Sequence, residues 1–144
     1  LAIALPALQF TLLEATAKKA RFLENAAREL GLDNVSVVCD RAESFGTGPE
    51  RERFDATTSR AVSRLPVLLE LTLPLIKVGG LSLSIKGEQA ANEVDESKNA
   101  LHVLKATVED TRRTPTGVVI RIRKIGPTPA KYPRRPGEPK RVPL

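Results

Sequence analysis

Glu14 closes a short apolar stretch, and Thr16 and a basic run follow it at once: "LLEATAKKARFLENAARELGL" from Leu12 to Leu32. A carboxylate at a strand tip, where the chain turns into a helix, can accept both hydroxyls of a ribose. An ordinary exposed glutamate is the other reading of Glu14 taken alone. Ala42–Glu43 and Ser59–Arg60 stand at two further strand ends, and Lys86 closes a fourth. Other sources of chemistry are thin. His102 is the only histidine and has no acidic or cysteine partner at ligand spacing, so no metal site is expected. Cys39, the single cysteine, lies in an apolar run and is expected to be buried and inert. Ser59 lacks the sharp glycine-flanked turn that exposes a nucleophilic serine, and Asp55 and Glu109 read as plain strand-end acids.

These groups need strands to carry them and helices to separate the strands. Leu1–Leu5 reads as the end of a helix stopped near Pro6, and Gln9–Glu14 as a strand. Thr16 is placed to cap the next helix with its hydroxyl. In that helix Ala20, Leu23, Ala27 and Leu30 form one apolar stripe, Glu24 is spaced to pair with Arg28, and Gly31 ends it. Val35–Cys39 is a β-branched strand, and "FDATTSRA" a weaker one ending near Ser59. Leu65–Val78 predicts an apolar helix with Pro66 in its first turn and Pro74 near its end. A turn at Gly79–Gly80 then leads into a strand closing on Lys86. Glu88–Leu101 reads as an exposed polar helix. Val103–Glu109 and Val118–Ile125 read as a strand pair turning at Pro115–Gly117. Alternation of this kind predicts an α/β fold, a parallel sheet with helices on both faces and ligands beyond the carboxyl ends of its strands.

The chain has 144 residues, 41% hydrophobic and 28% charged, with a formal net charge of +6. No apolar run reaches the roughly 18 residues of a membrane helix, so no membrane partner is expected. Two parts are expected: residues 1–125 as the folded domain and 126–144 as a tail. The tail, "GPTPAKYPRRPGEPKRVPL", holds six of the eleven prolines, a density that argues against helix and for an extended strap. Lys131, Arg134, Arg135, Lys140 and Arg141 face one carboxylate there, Glu138. Such an arm suits phosphate neutralisation on a nucleic acid; a strap that stabilises the domain is the competing reading. Tyr132, the only tyrosine, is expected to pack on the domain.

Taken together, "LLEATAKKARFLENAARELGL", "RAE" at Arg41–Glu43, "FDATTSRAV" at Phe54–Val62, "LPLIKVGG" at Leu73–Gly80, "KG" at Lys86–Gly87 and the tail "KYPRRPGEPKRVPL" resemble the GidB family of ribosomal RNA methyltransferases over the whole chain. The resemblance implies a class I, Rossmann-like fold using S-adenosylmethionine, and methylation of guanine at N7 in 16S ribosomal RNA of the small subunit. It implies that Glu14 holds the cofactor ribose beside Ala15 and Thr16, that Ala42 and Glu43 face the adenine, and that Arg60 lies at the mouth shared by cofactor and substrate. Lys86 and the tail cations Lys131, Arg134, Arg135, Lys140 and Arg141 would meet RNA phosphate. No catalytic acid or base is implied, because N7 carries a free lone pair. A cytoplasmic monomer is expected, or a protein of an organelle stroma if the source is a plant or alga. The family's first strand and glycine loop are expected to lie before Leu1. A non-catalytic RNA-binding fragment and an NAD-dependent oxidoreductase are the alternatives.

Overall fold

Phe10–Leu13 and Val35–Val38 are short, apolar and partly β-branched, and in the computed structural model, which describes residues 1–144, they form β1 and β2. The two pair in parallel, Phe10 opposite Val35 through Leu13 opposite Val38. A parallel pair needs a crossover, supplied by α1 (Ala17–Glu29). Ala20 is buried and Leu23 and Ala27 half-buried, as the stripe predicts. Leu30 departs from it: it caps the last turn and is 60% exposed. Gly31 takes φ +61°, the left-handed conformation a helix stop needs.

Other details of this first unit, Leu1–Ala42, differ from expectation. Arg28 donates to Asn25 Oδ1 at 2.6 Å and forms no pair with Glu24. Leu1–Leu5 is a series of turns, not a helix end. Its carbonyls are drawn inward by the buried Asn34 amide, which donates to Ala2, Leu5 and Leu8 at 3.2, 3.3 and 2.9 Å. Cys39 is exposed, because the strand stops one residue before it.

The second unit, Glu43–Leu144, carries the larger sheet. Its elements are α2 (Ala42–Phe45, opening on the last residue of the first unit), β3 (Phe54–Arg60), α3 (Leu65–Thr72), β4 (Ile76–Lys86), α4 (Ala90–Glu96), α5 (Lys98–Val103), β5 (Ala106–Thr114), β6 (Gly117–Lys124) and α6 (Glu138–Arg141). Strand order is β3-β4-β6-β5, with β3 and β4 parallel and the other two pairings antiparallel. The sheet is therefore mixed: the parallel pairing expected holds for β3 and β4, while the short Pro115–Gly117 turn can only join antiparallel strands. The helix predicted over Leu65–Val78 stops at Thr72; a 3-10 turn at Leu73–Leu75 follows, and β4 already begins at Ile76. Between Phe54–Ile76 and Ala56–Leu81 the register jumps, and a β-carbon on Gly80 would lie 2.6 Å from the Asp55 carbonyl oxygen. Only glycine permits that approach.

Leu65, Leu68, Leu69 and Leu73 pack with Ile76, Ile120, Ile122 and Leu104 into the core. The polar stretch Glu88–Leu101 is two short helices broken at Ser97, whose hydroxyl donates to the Glu93 carbonyl at 2.6 Å; Ala90 and Ala100 turn inward. Lys124 is fully buried, its ammonium held by Glu52 at 2.6 Å and by the carbonyls of Leu73 and Ile76 at 2.9 and 2.7 Å.

Residues 126–144 pack within this unit. Arg51 donates to the carbonyls of Tyr132 and Thr128 at 2.6 and 2.7 Å, and Glu52 Oε1 accepts the Thr128 N–H at 2.8 Å. Tyr132 is buried, as expected. One turn of helix, α6, forms despite the prolines, because Pro139 sits in its first turn, where no backbone N–H is needed.

Candidate functional site

At the carboxyl end of β1, Glu14 Oε1 accepts the Thr16 N–H at 2.8 Å. Thr16 stands at the helix cap position but makes no hydroxyl cap; the Glu14 carboxylate takes the N–H of the cap residue itself. This backbone hydrogen bond, opposed by partial desolvation and aided by the Thr16 side chain and Lys19, holds the Glu14 carboxyl below its ordinary range. An acceptor-only, ionised group is thus fixed at a strand tip, with Ala15 and Thr16 exposed beside it. A carboxylate with lone pairs to spare suits a vicinal diol, each of whose hydroxyls donates.

At the carboxyl ends of β3 and β4 the chain forms an open groove of about 420 Å³. It is lined by Arg60 at the end of β3, by Val62 and Arg64 of the β3–α3 loop, and by Ile85, Lys86 and Thr116. The structure thus brings Arg60 and Lys86 to one site. Arg60 is exposed, whereas the Lys86 side chain is only 8% exposed and its ammonium is already engaged. It meets Glu93 Oε2 at 2.7 Å and donates to the Ser63 carbonyl at 2.5 Å. The same Glu93 oxygen accepts the Leu65 N–H at 2.6 Å, capping α3 from a neighbouring helix.

Glu43 is buried and accepts the Gly137 N–H at 2.8 Å, so its side chain ties α2 to the tail. Arg134 is not a free cation. It grips the fully buried Glu70 through Nε and Nη2, at 2.9 and 2.6 Å, and Glu70 Oε1 also accepts the Arg134 N–H. That pairing raises the guanidinium's pKa above its ordinary value. Lys131 lies 5.2 Å from the centroid of the Tyr132 ring; Arg135, Lys140 and Arg141 are exposed. The tail is therefore a strap with four outward cations.

Glu93 escaped the sequence reading because its helix reads as polar all round. The signal was the inward stripe Ala90, Glu93, Val94 and Ser97 at helical spacing, in which one acid sits among small or apolar residues.

Against known families, the model described as "rRNA small subunit methyltransferase G" matches residues 1–118. The chain belongs to the GidB family. Curated relatives of this GidB-family chain include proteins named ribosomal RNA small subunit methyltransferase G. The one from Desulfitobacterium hafniense is 46% identical over all of this chain and 63% of its own length. That from Sorangium cellulosum is 47% identical over 94% of this chain and 56% of its own length. The chain thus spans less than two thirds of the length of these relatives. Among solved structures, a W203A mutant of a 16S rRNA (adenine(1408)-N(1))-methyltransferase from Catenulisporales acidiphilia superposes with a TM-score of 0.68 at 18% identity, covering 88% of this chain and 78% of that one. M. jannaschii TYW2 in complex with AdoMet gives 0.60 at 14% identity, covering 81% and 58%. The fold is that of the class I S-adenosylmethionine-dependent methyltransferases, α/β with a mixed sheet.

Proposed function

We propose that this GidB-family chain serves S-adenosylmethionine-dependent methylation of small-subunit ribosomal RNA, at guanine N7 of the 16S molecule. What carries the reading is the family match over residues 1–118. The groove at the ends of β3 and β4, with its exposed Arg60, supports the RNA half of it. S-adenosylmethionine, when bound, supplies an electrophilic methyl group. Glu14 would accept the ribose hydroxyls, with Ala15 and Thr16 in the same turn. Ala42 and Glu43 would contribute on the adenine side through their backbone, since the Glu43 carboxylate is spent on Gly137. Arg60 would serve the substrate side.

Guanine N7 offers its lone pair without losing a proton, so these residues need only align and hold, and no general base is required. Loop bases are the cheaper ones to present, because no pairing is broken. Arg60 and the outward Lys131, Arg135, Lys140 and Arg141 would meet phosphates. We place the activity in the cytoplasm, with the protein acting as a monomer.

Calorimetric titration tests the cofactor half. S-adenosylmethionine should bind, and Glu14→Ala should weaken it about tenfold to a hundredfold, the effect of losing a charged hydrogen bond. Binding of NAD in its place would overturn the reading in favour of an oxidoreductase. Transfer of labelled methyl to small ribosomal subunits, lost in Arg60→Ala, tests the RNA half.

A further inference from the structure

The loop that carries Arg60 into the groove does not hold itself. Ala61 takes φ +55°, a left-handed conformation that an alanine keeps only where its surroundings impose it. What imposes it lies on other elements. Lys86, at the end of β4, holds the Ser63 carbonyl at 2.5 Å. Glu93, on α4, holds Lys86 at 2.7 Å and the Leu65 N–H at 2.6 Å through one oxygen. Glu96, one turn on, pairs with Arg64. The Lys86 and Glu93 side chains are only 8% and 14% exposed, so their attraction is little screened by solvent. Val62, between the two arginines, is left 60% exposed, an apolar tip flanked by cations.

We propose that Glu93 is a positioning residue for RNA: with Lys86 it clamps the Ala61–Arg64 loop in the shape that offers Arg60 and Val62 to an unpaired base and its phosphates. The inference rests on the RNA reading of the groove. It assigns Lys86 to the loop and not to phosphate, and it gives an acidic residue a part in binding a polyanion.

That last point makes the test a matter of sign. By Coulomb's law alone, removing a carboxylate beside a phosphate site tightens binding. Positioning requires the opposite. Affinity for a labelled single-stranded oligoribonucleotide should fall about tenfold in Glu93→Ala, the effect of losing a charged hydrogen bond. It should fall less in Glu93→Gln, which keeps an acceptor for Leu65. Lys86→Met should fall similarly without flattening the salt slope, and Asp95→Asn, on the exposed side of the same helix, should not fall. Hydrogen exchange of the Leu65 amide should quicken in Glu93→Ala while core amides stay protected, showing the protein folded. Glu93→Ala binding RNA as tightly as the unmodified chain, or more tightly, would overturn the inference alone. So would Lys86→Met flattening the salt slope by about 0.7, the mark of a lost phosphate contact. Failure of the unmodified chain to bind RNA would overturn the groove's reading, and this role with it.

Discussion

The two parallel strand pairs of this chain are built on the same plan and stabilised very differently. β1 and β2 pair over four residues each, all but one half-buried, and the only buried apolar side chain in their unit is Ala20. Phe22 and Leu30 of α1 are 70% and 60% exposed. β3 and β4 continue into β6 and β5, and α3 with the turn after it supplies four buried leucines, Leu65, Leu68, Leu69 and Leu73. Polar groups follow the same division. The first unit uses Asn34 to satisfy carbonyls, whereas the second buries whole ions: Glu70 against Arg134 and Lys124 against Glu52. Apolar content alone therefore does not make a core; partners on several elements do.

The strongest way to break the comparison is to strip one partner from a buried ion pair. Arg134→Ala leaves Glu70 charged and enclosed, which should cost roughly 3–5 kcal/mol and lower the melting temperature of the second unit sharply. A loss under about 1 kcal/mol, the range of surface pairs, would show the tail held by other contacts. Next comes the apolar contrast. Leu69→Ala should cost about 2–5 kcal/mol in denaturant unfolding, and Phe22→Ala no more than about 0.5. Equal effects would mean that Phe22 is covered in solution.

The acid limb is a smaller effect. Burial works to raise the Glu52 carboxyl, but the Lys124 hydrogen bond and the Thr128 N–H outweigh it, and the pKa lies below its ordinary value. Burial pulls Lys124 below its own ordinary value, with the Glu52 pair opposing. For Glu52, stabilisation is complete above the ordinary carboxylate range and is lost as pH falls through the lowered folded value. Melting temperature against pH should therefore fall less on the acid side in Glu52→Gln than in the unmodified chain. Smallest in stability terms is neutralisation of Lys131, Arg135, Lys140 and Arg141. The melt should barely move, while the salt slope of single-stranded RNA binding falls by roughly 2.8 if all four meet phosphates.

How much of this could be read in advance depended on where the information lay. β1, α1 and β2 were legible because strand period, crossover and the Gly31 stop all sit between Phe10 and Val38. Glu14 was legible for the same reason: its partner is two residues away. The end of α3 was misjudged because Leu73–Ile76 is apolar in helix and strand alike, and only the β3 register separates them. Arg134 read as a free cation because Glu70 lies sixty-four residues earlier, in an apolar run where a lone acid attracts no notice. Glu93 and Lys86 failed as a pair for a related reason, since each alone looks like a surface charge.

The strap has a consequence for how the molecule is made. Glu43, Arg51 and Glu52 reach across 94, 81 and 76 residues of sequence to Gly137, Tyr132 and Thr128. These partners leave the ribosome well after the groups they bind. The segment that leaves the first unit therefore stays without its anchors until residues 128–137 have emerged. Contacts of such long span close late and slowly. The nascent chain, with Glu52 lacking Thr128 and Glu70 lacking Arg134, is the form most exposed to misassembly and to proteases. A stop codon just before Gly126 would leave a protein halted at that stage of its own synthesis.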